Sequence, residues 1–249
     1  MPSYGEPEYW NKRYTIQKEK TFDWLEDWAS LKPLIEKLIN KDAKILMLGC
    51  GNALISQEMY DDGYKNITNI DISPVVIENM KEKNTERPEM TWEVMDVTNL
   101  SYSNETFDMA IDKSTIDALL CGDRSFLAVA RMTKEVQRVL KTGGYYFVIS
   151  YGRPDNRTVH FLRPHLDFSL KWEKVYPLEW KTELEKRDKE HYVYTCQKGE
   201  KAEEADNLNW GVVEEELISQ AMKEVKFNDE EKKNIDQGQQ LIDKEFEED

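Results

Sequence analysis

The sequence predicts an α/β protein: a mostly parallel sheet with helices on both faces, an aromatic helical cap before it and an acidic tail after it. Three observations carry this. Between Lys44 and Ser150, short apolar runs rich in β-formers alternate with amphipathic stretches, the pattern of repeated βαβ units. The runs are apolar almost throughout, as strands buried on both faces of a parallel sheet must be. The charge is lopsided: of a net −15, the segment from Glu200 to Asp249 holds −11, with 17 acidic against 6 basic residues.

Taken in order, YGEPEYWNKRY (4–14) and FDWLEDWASLKPLIEKLIN (22–40) read as aromatic-rich helical pieces, and residues 1–40 form a cap that either covers a ligand or packs its rings on the sheet. The main domain, 41–198, opens with the strand KILMLG (44–49). It continues through strands NITNID (66–71), MTWEVM (90–95), FDMAID (107–112) and YYFVIS (145–150). Helices are expected at 53–63, 73–84, 114–122 and 124–144, the last closed by KTGG, a basic residue followed by glycines able to take the left-handed cap conformation. The Pro/Arg/His-rich stretch 152–165 then leads to two strands of alternating character, 168–177 and 191–198. With no helix of normal length between them, they read as an antiparallel hairpin closing the sheet edge. Beyond Gly199, residues 199–249 read as a charged linker and an acidic tail, partly helical or disordered.

The bulk numbers exclude several classes. A surface for nucleic acid needs clustered Lys and Arg, and this chain is acidic, so a basic protein is the partner its tail would suit. Cys50, Cys121 and Cys196 are odd in number and form no CxxC pair, so neither a disulfide framework nor a zinc site is expected. The N-terminus lacks a basic flank with an apolar core, and no apolar run approaches 20 residues. The expectation is a soluble cytoplasmic monomer without a membrane segment or a metal. His160, His165 and His191 stand alone in loops or at strand starts, where histidines are usually structural or solvated.

The chemistry concentrates at strand ends. In LGCGN (48–52), Gly49 and Gly51 follow a strand and open a helix, allowing a tight turn and close backbone approach to a ligand. A dinucleotide-binding turn carries a third glycine; here Leu54 stands there, which weakens a pyrophosphate reading and leaves an adenosine ligand. Asp71, 20 residues past Gly51 at the next strand end, suits the two hydroxyls of a ribose, with capping of the helix near Pro74 as the alternative. In VMDVTNL (94–100), Asp96 follows the third strand, placed to accept from an adenine amino group or simply to shape a turn. The fourth strand delivers Asp112 and Lys113 to the sheet edge outside which ligands of open α/β sheets bind.

With these residues in hand, the chain resembles the seven-β-strand S-adenosylmethionine-dependent methyltransferases. It is most similar to the branch of methyltransferase-like protein thirteen and of the elongation-factor lysine methyltransferase associated with endothelin-converting enzyme two. The resemblance rests on YWNKRY, FDWL, LMLGCGN, NIDIS, WEVMDV, FDMAIDKSTIDALL and EVQRVLKTGGYYFVIS, and spans Tyr9 to Lys198. It implies a Rossmann-like three-layer sandwich, a seven-stranded sheet with an antiparallel last strand, and S-adenosylmethionine as cofactor. It further implies that Gly49, Cys50 and Gly51, with Asn52 beside them, wrap the methionine part of the cofactor. Asp71 and Ile72 hold the ribose side, Asp96 and Val97 flank adenine, and Trp10, Arg13 and Tyr14 close over the ligand, with Arg13 meeting its carboxylate. Asp112, where relatives often carry glutamate, is counted among the cofactor-binding residues and is the first candidate to orient a target amine; Asp117, one turn onward, is the second, with an exposed helix residue as the alternative. The implied activity is methylation of a protein lysine, on a target like translation elongation factor one-alpha. No NPPY-like motif follows the fourth strand, which weighs against adenine or amide nitrogen as acceptor. A small-molecule acceptor, or a non-catalytic subunit that keeps the fold, stays open from the residues alone.

Overall fold

The computed structural model describes residues 4–18, 21–176 and 190–223. Its centre is a seven-stranded sheet in the order β3-β2-β1-β4-β5-β7-β6. The strands are β1 (Ile45–Leu48), β2 (Ile67–Asp71), β3 (Thr91–Val94), β4 (Phe107–Lys113), β5 (Leu140–Ser150), β6 (Phe168–Val175) and β7 (His191–Lys198). Strands β1 to β5 pair in parallel, whereas β7 runs antiparallel between β5 and β6. The expected hairpin is therefore present, with β6 rather than β7 at the outer edge. Its connector lies outside the described residues.

Each face of β1 feeds a different core. Ile45 and Met47 pack into one layer with helices α1 (Pro7–Ile16), α2 (Trp28–Ile35), α3 (Ile55–Asp61) and α4 (Pro74–Lys83). Leu46 and Leu48 pack into the other, with α5 (Thr115–Leu119), α6 (Ser125–Val139) and α7 (Pro154–Phe161). All four β1 side chains are 0–1% exposed, which is why the run carries no polar alternation.

Register sets the level at which the strands deliver their ends. Leu48 pairs with Ile70 on one side and Asp112 on the other. The glycine turn after β1, Asp71 closing β2 and Lys113 closing β4 thus meet along one carboxyl edge.

Three expectations are corrected. KTGG does not cap a helix: α6 ends at Val139, and Lys141–Gly144 form an irregularity in β5, where pairing jumps from Leu140 opposite Phe107 to Tyr145 opposite Met109. Lys141 Nζ reaches Asp108 Oδ1 at 2.7 Å across that irregularity. The stretch 152–165, where no helix is expected, contains α7, entered through Pro154 at a position where its missing N–H costs nothing. The charged stretch after Gly199, read as a linker, turns helical from residue 202, and this helix (α8, 202–223) lays Val213 and Leu217 against Leu127 and Ala130 of α6. Arg131–Glu214 (2.9 Å) and Lys134–Asp206 (3.2 Å) flank the seam. Residues 224–249, the remainder of the expected acidic tail, lie outside the described residues.

Candidate active site

A cavity of about 490 Å³ opens at the carboxyl edge, walled by the glycine turn, the ends of β2, β3 and β4, helix α1 and the loop that follows it. Of the residues expected from sequence, Trp10, Tyr14, Gly49, Cys50, Gly51, Asn52, Asp71, Ile72, Asp96, Val97 and Asp117 line it; Arg13 and Asp112 do not.

The turn is held by its glycines. Gly49 and Gly51 both take left-handed backbone, with φ of +56° and +54°. A Cβ on Gly49 would sit 2.3 Å from Thr115 Oγ1, whose hydroxyl donates to the Leu48 carbonyl at 2.8 Å. A Cβ on Gly51 would lie 2.9 Å from the Tyr14 hydroxyl. The missing side chains thus let α5 and α1 close around the turn.

Asp71 is almost fully buried. Its Oδ2 accepts from Gly51 N (3.0 Å) and its Oδ1 from Ser73 N (2.9 Å), so it ties the glycine turn to the entry of α4 while its carboxylate still borders the cavity. The carboxylate thus holds the Ser73 amide at the entry of α4 while it faces the cavity. Each oxygen retains lone-pair capacity for a ligand hydroxyl. Burial pushes the Asp71 carboxyl up to about 6, against the pull of the Ser73, Gly51 and Ile72 amides. A buried acid raised in this way holds its proton more readily in the fold than in the unfolded chain, so its ionisation disfavours the fold increasingly between about pH 3.8 and 6. Ligand hydroxyls favour the ionised form. Affinity for an adenosine cofactor is accordingly expected to be flat above pH 7 and to fall by up to about tenfold per unit below pH 6. Calorimetric titration across that range checks this; a pH-independent affinity would contradict it.

Asp96, just after β3, bends back to accept from Thr98 N and Thr98 Oγ1, both at 2.8 Å, and Val97 supplies a buried apolar wall. Opposite, Trp10 and Tyr14 stack one helical turn apart, ring centroids 5.8 Å from each other, and Trp10 Nε1 donates to the Tyr4 carbonyl. Phe22, Trp24 and Tyr151 complete an aromatic mouth. The aromatic-rich stretch 22–40 hinted at Phe22 and Trp24. No local signal marked Tyr151, which follows β5 and is held at the mouth by its backbone N–H on Asp117.

The two displaced residues have physical reasons. The Arg13 guanidinium is boxed by the rings of Trp10, Phe22 and Trp24, at 5.6, 5.0 and 5.1 Å, and donates to Tyr9 Oη. It clasps the cap together instead of entering the cavity. Asp112 is 0% exposed and points down into the fold. It accepts from Tyr146 Oη (2.8 Å), Thr115 N (2.7 Å) and Ile116 N (3.2 Å), holding the start of α5 just after Ser114, a non-glycine residue at φ +71°. Burial pushes its carboxyl up to about 7 in spite of those donors. Asp112 is therefore a structural cap, not a group facing the reacting atoms.

Replacing Asp112 with alanine strands the buried Tyr146 hydroxyl and two amides. It is expected to cost roughly 3 kcal/mol, read as a lowered thermal midpoint. Asp112→Asn, which keeps an acceptor, is expected to bind cofactor normally. Loss of cofactor binding in Asp112→Asn at unchanged stability would contradict the assignment.

Asp117 borders the cavity but is fully engaged. Oδ1 accepts from Arg157 Nη2 and Ser150 Oγ, each at 2.6 Å, and Oδ2 from Ser114 Oγ (3.0 Å) and Tyr151 N (3.2 Å). It fixes the end of β5 and the position of Tyr151.

Residues 46–148 match the family model described as a methyltransferase domain. The chain is 41% identical over 150 residues to human eEF1A lysine and N-terminal methyltransferase, covering 59% of this chain and 22% of that one. It is 32% identical over 177 residues to EEF1A lysine methyltransferase 4 of mouse, covering 68% and 69%. It spans only about a quarter or less of the length of the first relatives it matches. Among solved structures, a SAM-dependent methyltransferase of Methanosarcina mazei superposes with a TM-score of 0.53 at 18% identity, over 67% of this chain and 97% of that one. The PH0226 protein of Pyrococcus horikoshii gives 0.53 at 21%, over 80% and 96%. At these identities the structures speak for the fold.

Proposed function

Because this chain belongs to the class I S-adenosylmethionine-dependent methyltransferases, we propose that it methylates a lysine side chain of a protein like elongation factor 1-alpha. The substrate reading rests chiefly on the match to EEF1A lysine methyltransferase 4, which runs along two thirds of both chains. The residues of the cavity suit the cofactor. Gly49 and Gly51 make room for its amino-acid end, Asp71 offers a carboxylate to its ribose, and Asp96 and Val97 border the adenine end. When bound, S-adenosylmethionine supplies an electrophilic methyl group on a sulfonium.

The chain's own work is positioning and desolvation. A nucleophile has to stand about 3–3.5 Å from the methyl carbon and in line with the bond that breaks. The aromatic mouth of Tyr4, Trp10, Phe22, Trp24 and Tyr151 is apolar enough to take an aliphatic lysine stem and to exclude water. An amine brought into such a setting loses its proton more easily, because desolvation disfavours the charged form. Neither Asp112 nor Asp117 is free to take that proton, so the ammonium surrenders it to solvent before it is enclosed. On the same reading the protein acts in the cytoplasm as a monomer, with its acidic C-terminal segment available to a basic partner; its three free cysteines suit a reducing compartment.

Purified elongation factor 1-alpha incubated with the chain and methyl-labelled cofactor, followed by peptide mass mapping, tests the substrate. Label on a lysine is expected. Label confined to small molecules would favour the small-molecule reading, and none at all a non-catalytic subunit.

A further inference from the structure

The aromatic mouth is assembled from separate stretches of chain: Tyr4 and Trp10 of the cap, Phe22 and Trp24 of the loop before α2, and Tyr151 just after β5. The cap and the loop hold each other directly, with the rings of Tyr4 and Trp24 edge to face at 6.0 Å. Tyr151 comes from the far side of the sheet edge, and its distance from Trp24 has to be set by something else.

A buried pair that does not border the cavity supplies the link. Glu26, two residues past Trp24 and 1% exposed, accepts at Oε1 from His191 Nδ1 at 2.7 Å. His191 opens β7, and the register that places Tyr192 opposite Ser150 brings it beside Tyr151. The His191 and Tyr151 rings meet edge to face, with centroids 5.0 Å apart and planes at 90°. One imidazole thus joins the loop that carries Trp24 to the ring of Tyr151.

The pair is a poor arrangement for stability alone. Glu26 Oε2 is buried and has no hydrogen-bond partner among the described residues, which leaves its desolvation uncompensated. Beside it, Leu25 takes left-handed backbone at φ +65°, a region that bulky side chains avoid. Such a residue persists only where its surroundings over-determine it. Here every neighbour is tethered: Lys113 donates to Asp23 and, at 2.9 Å, to the Trp24 carbonyl, while Asp27 caps α2 by accepting from Ser30 N at 2.8 Å. Of these tethers, Glu26 is the one that crosses to β7. Apolar side chains of similar size would fill the same space without an orphaned oxygen. What the hydrogen bond adds is a fixed direction and distance.

We propose that Glu26 and His191 are positioning residues for methyl transfer: the hydrogen bond between them sets the spacing of Trp24 and Tyr151, and through it the approach of the target amine to the methyl group. This rests on the proposed function. Neither residue touches the substrate; both act through the rings they hold.

The test is the double variant Glu26→Leu with His191→Phe, which removes the pair without stranding one buried partner and keeps a ring beside Tyr151. Its thermal midpoint is expected to match that of the unmodified chain, and its S-adenosylmethionine affinity by calorimetry to stay within about threefold. Amide hydrogen exchange over residues 22–27 is expected to quicken by about tenfold or more, as the loop opens locally. The kcat on elongation factor 1-alpha is expected to fall by about 30-fold with KM little changed, since 1 Å of misplacement costs up to about 100-fold. Glu26→Gln, which keeps an acceptor for Nδ1, is expected to hold both exchange and kcat within about threefold of the unmodified chain. A double variant with full kcat, or one whose activity falls only in step with its stability or only through KM, would overturn the proposal and leave the pair a plain structural latch. If the unmodified chain does not label elongation factor 1-alpha, the substrate reading fails by itself, and unchanged exchange over 22–27 in the double variant still overturns the clasp.

Discussion

Asp71→Ala is expected to lower S-adenosylmethionine affinity by about 100-fold at pH 7.5, with the fold intact by circular dichroism. The magnitude follows from two charge-assisted hydrogen bonds from the ribose hydroxyls at about 1.5 kcal/mol each, with about 1.4 kcal/mol per factor of ten. The same substitution releases Gly51 N and Ser73 N, so the glycine turn loses its tether to β2 as the ligand loses its acceptor. Asp71→Asn separates the two effects. One amide oxygen still serves one backbone donor, but the NH₂ group faces the other donor and offers the ribose nothing in return. Its affinity is expected to be nearly as low as that of the alanine variant. Affinity within about threefold of the unmodified chain, roughly 0.7 kcal/mol, would remove Asp71 from the cofactor site.

Gly49→Ala is expected to destabilise the protein by roughly 3 kcal/mol and to abolish measurable cofactor binding. Left-handed backbone at an alanine costs about 1–2 kcal/mol, and forcing a methyl into a packed site adds about as much again. The added carbon would lie 2.3 Å from Thr115 Oγ1, so the first residue of α5 has to retreat, and with it the turn that carries Lys113 and Ser114. Combining Gly49→Ala with Thr115→Ala removes the collision and keeps the backbone strain. Partial recovery of the thermal midpoint in the double variant is the expected coupling between neighbours; additive losses would show that Thr115 is not what Gly49 accommodates.

What the sequence shows plainly here is what is encoded locally. Strands β1, β2 and β4 are legible because burial on both faces forces an unbroken apolar run. The glycine turn is legible because two positive-φ residues after a strand have few other uses. Asp71 and Asp96 are visible because strand ends in a parallel sheet point their next residues at one edge. The misreadings come from partners distant in sequence. KTGG has the chemistry of a helix cap, yet Lys141 is drawn to Asp108, 33 residues earlier, and the glycines become an irregularity in β5. Asp112 lies at the end of β4, one residue before Lys113, much as Asp71 closes β2, but the Tyr146 hydroxyl and the α5 amides turn its carboxylate into the fold. Arg13 lies one helical turn from Tyr9 and on the cavity side by spacing, and only the arrival of Phe22 and Trp24 removes it. Lys113, one residue past Asp112, becomes conspicuous once the cap loop brings Asp23 onto it.

The site that results is asymmetric. Its inner wall is backbone and carboxylate, suited to a polar nucleoside and amino acid, and its mouth is aromatic, suited to an aliphatic amine. On the proposed function, that division would set the methyl group where the hydrogen-bonded wall meets the aromatic mouth, so that a lysine amine would shed its hydration as it approaches.

The most direct test is a crystal structure of the chain with S-adenosylhomocysteine. The ribose hydroxyls are expected within about 3 Å of the Asp71 carboxylate oxygens, with adenine against Val97 and the amino-acid end along Gly49–Gly51. A ligand bound elsewhere, or one whose ribose leaves Asp71 untouched, would contradict the account.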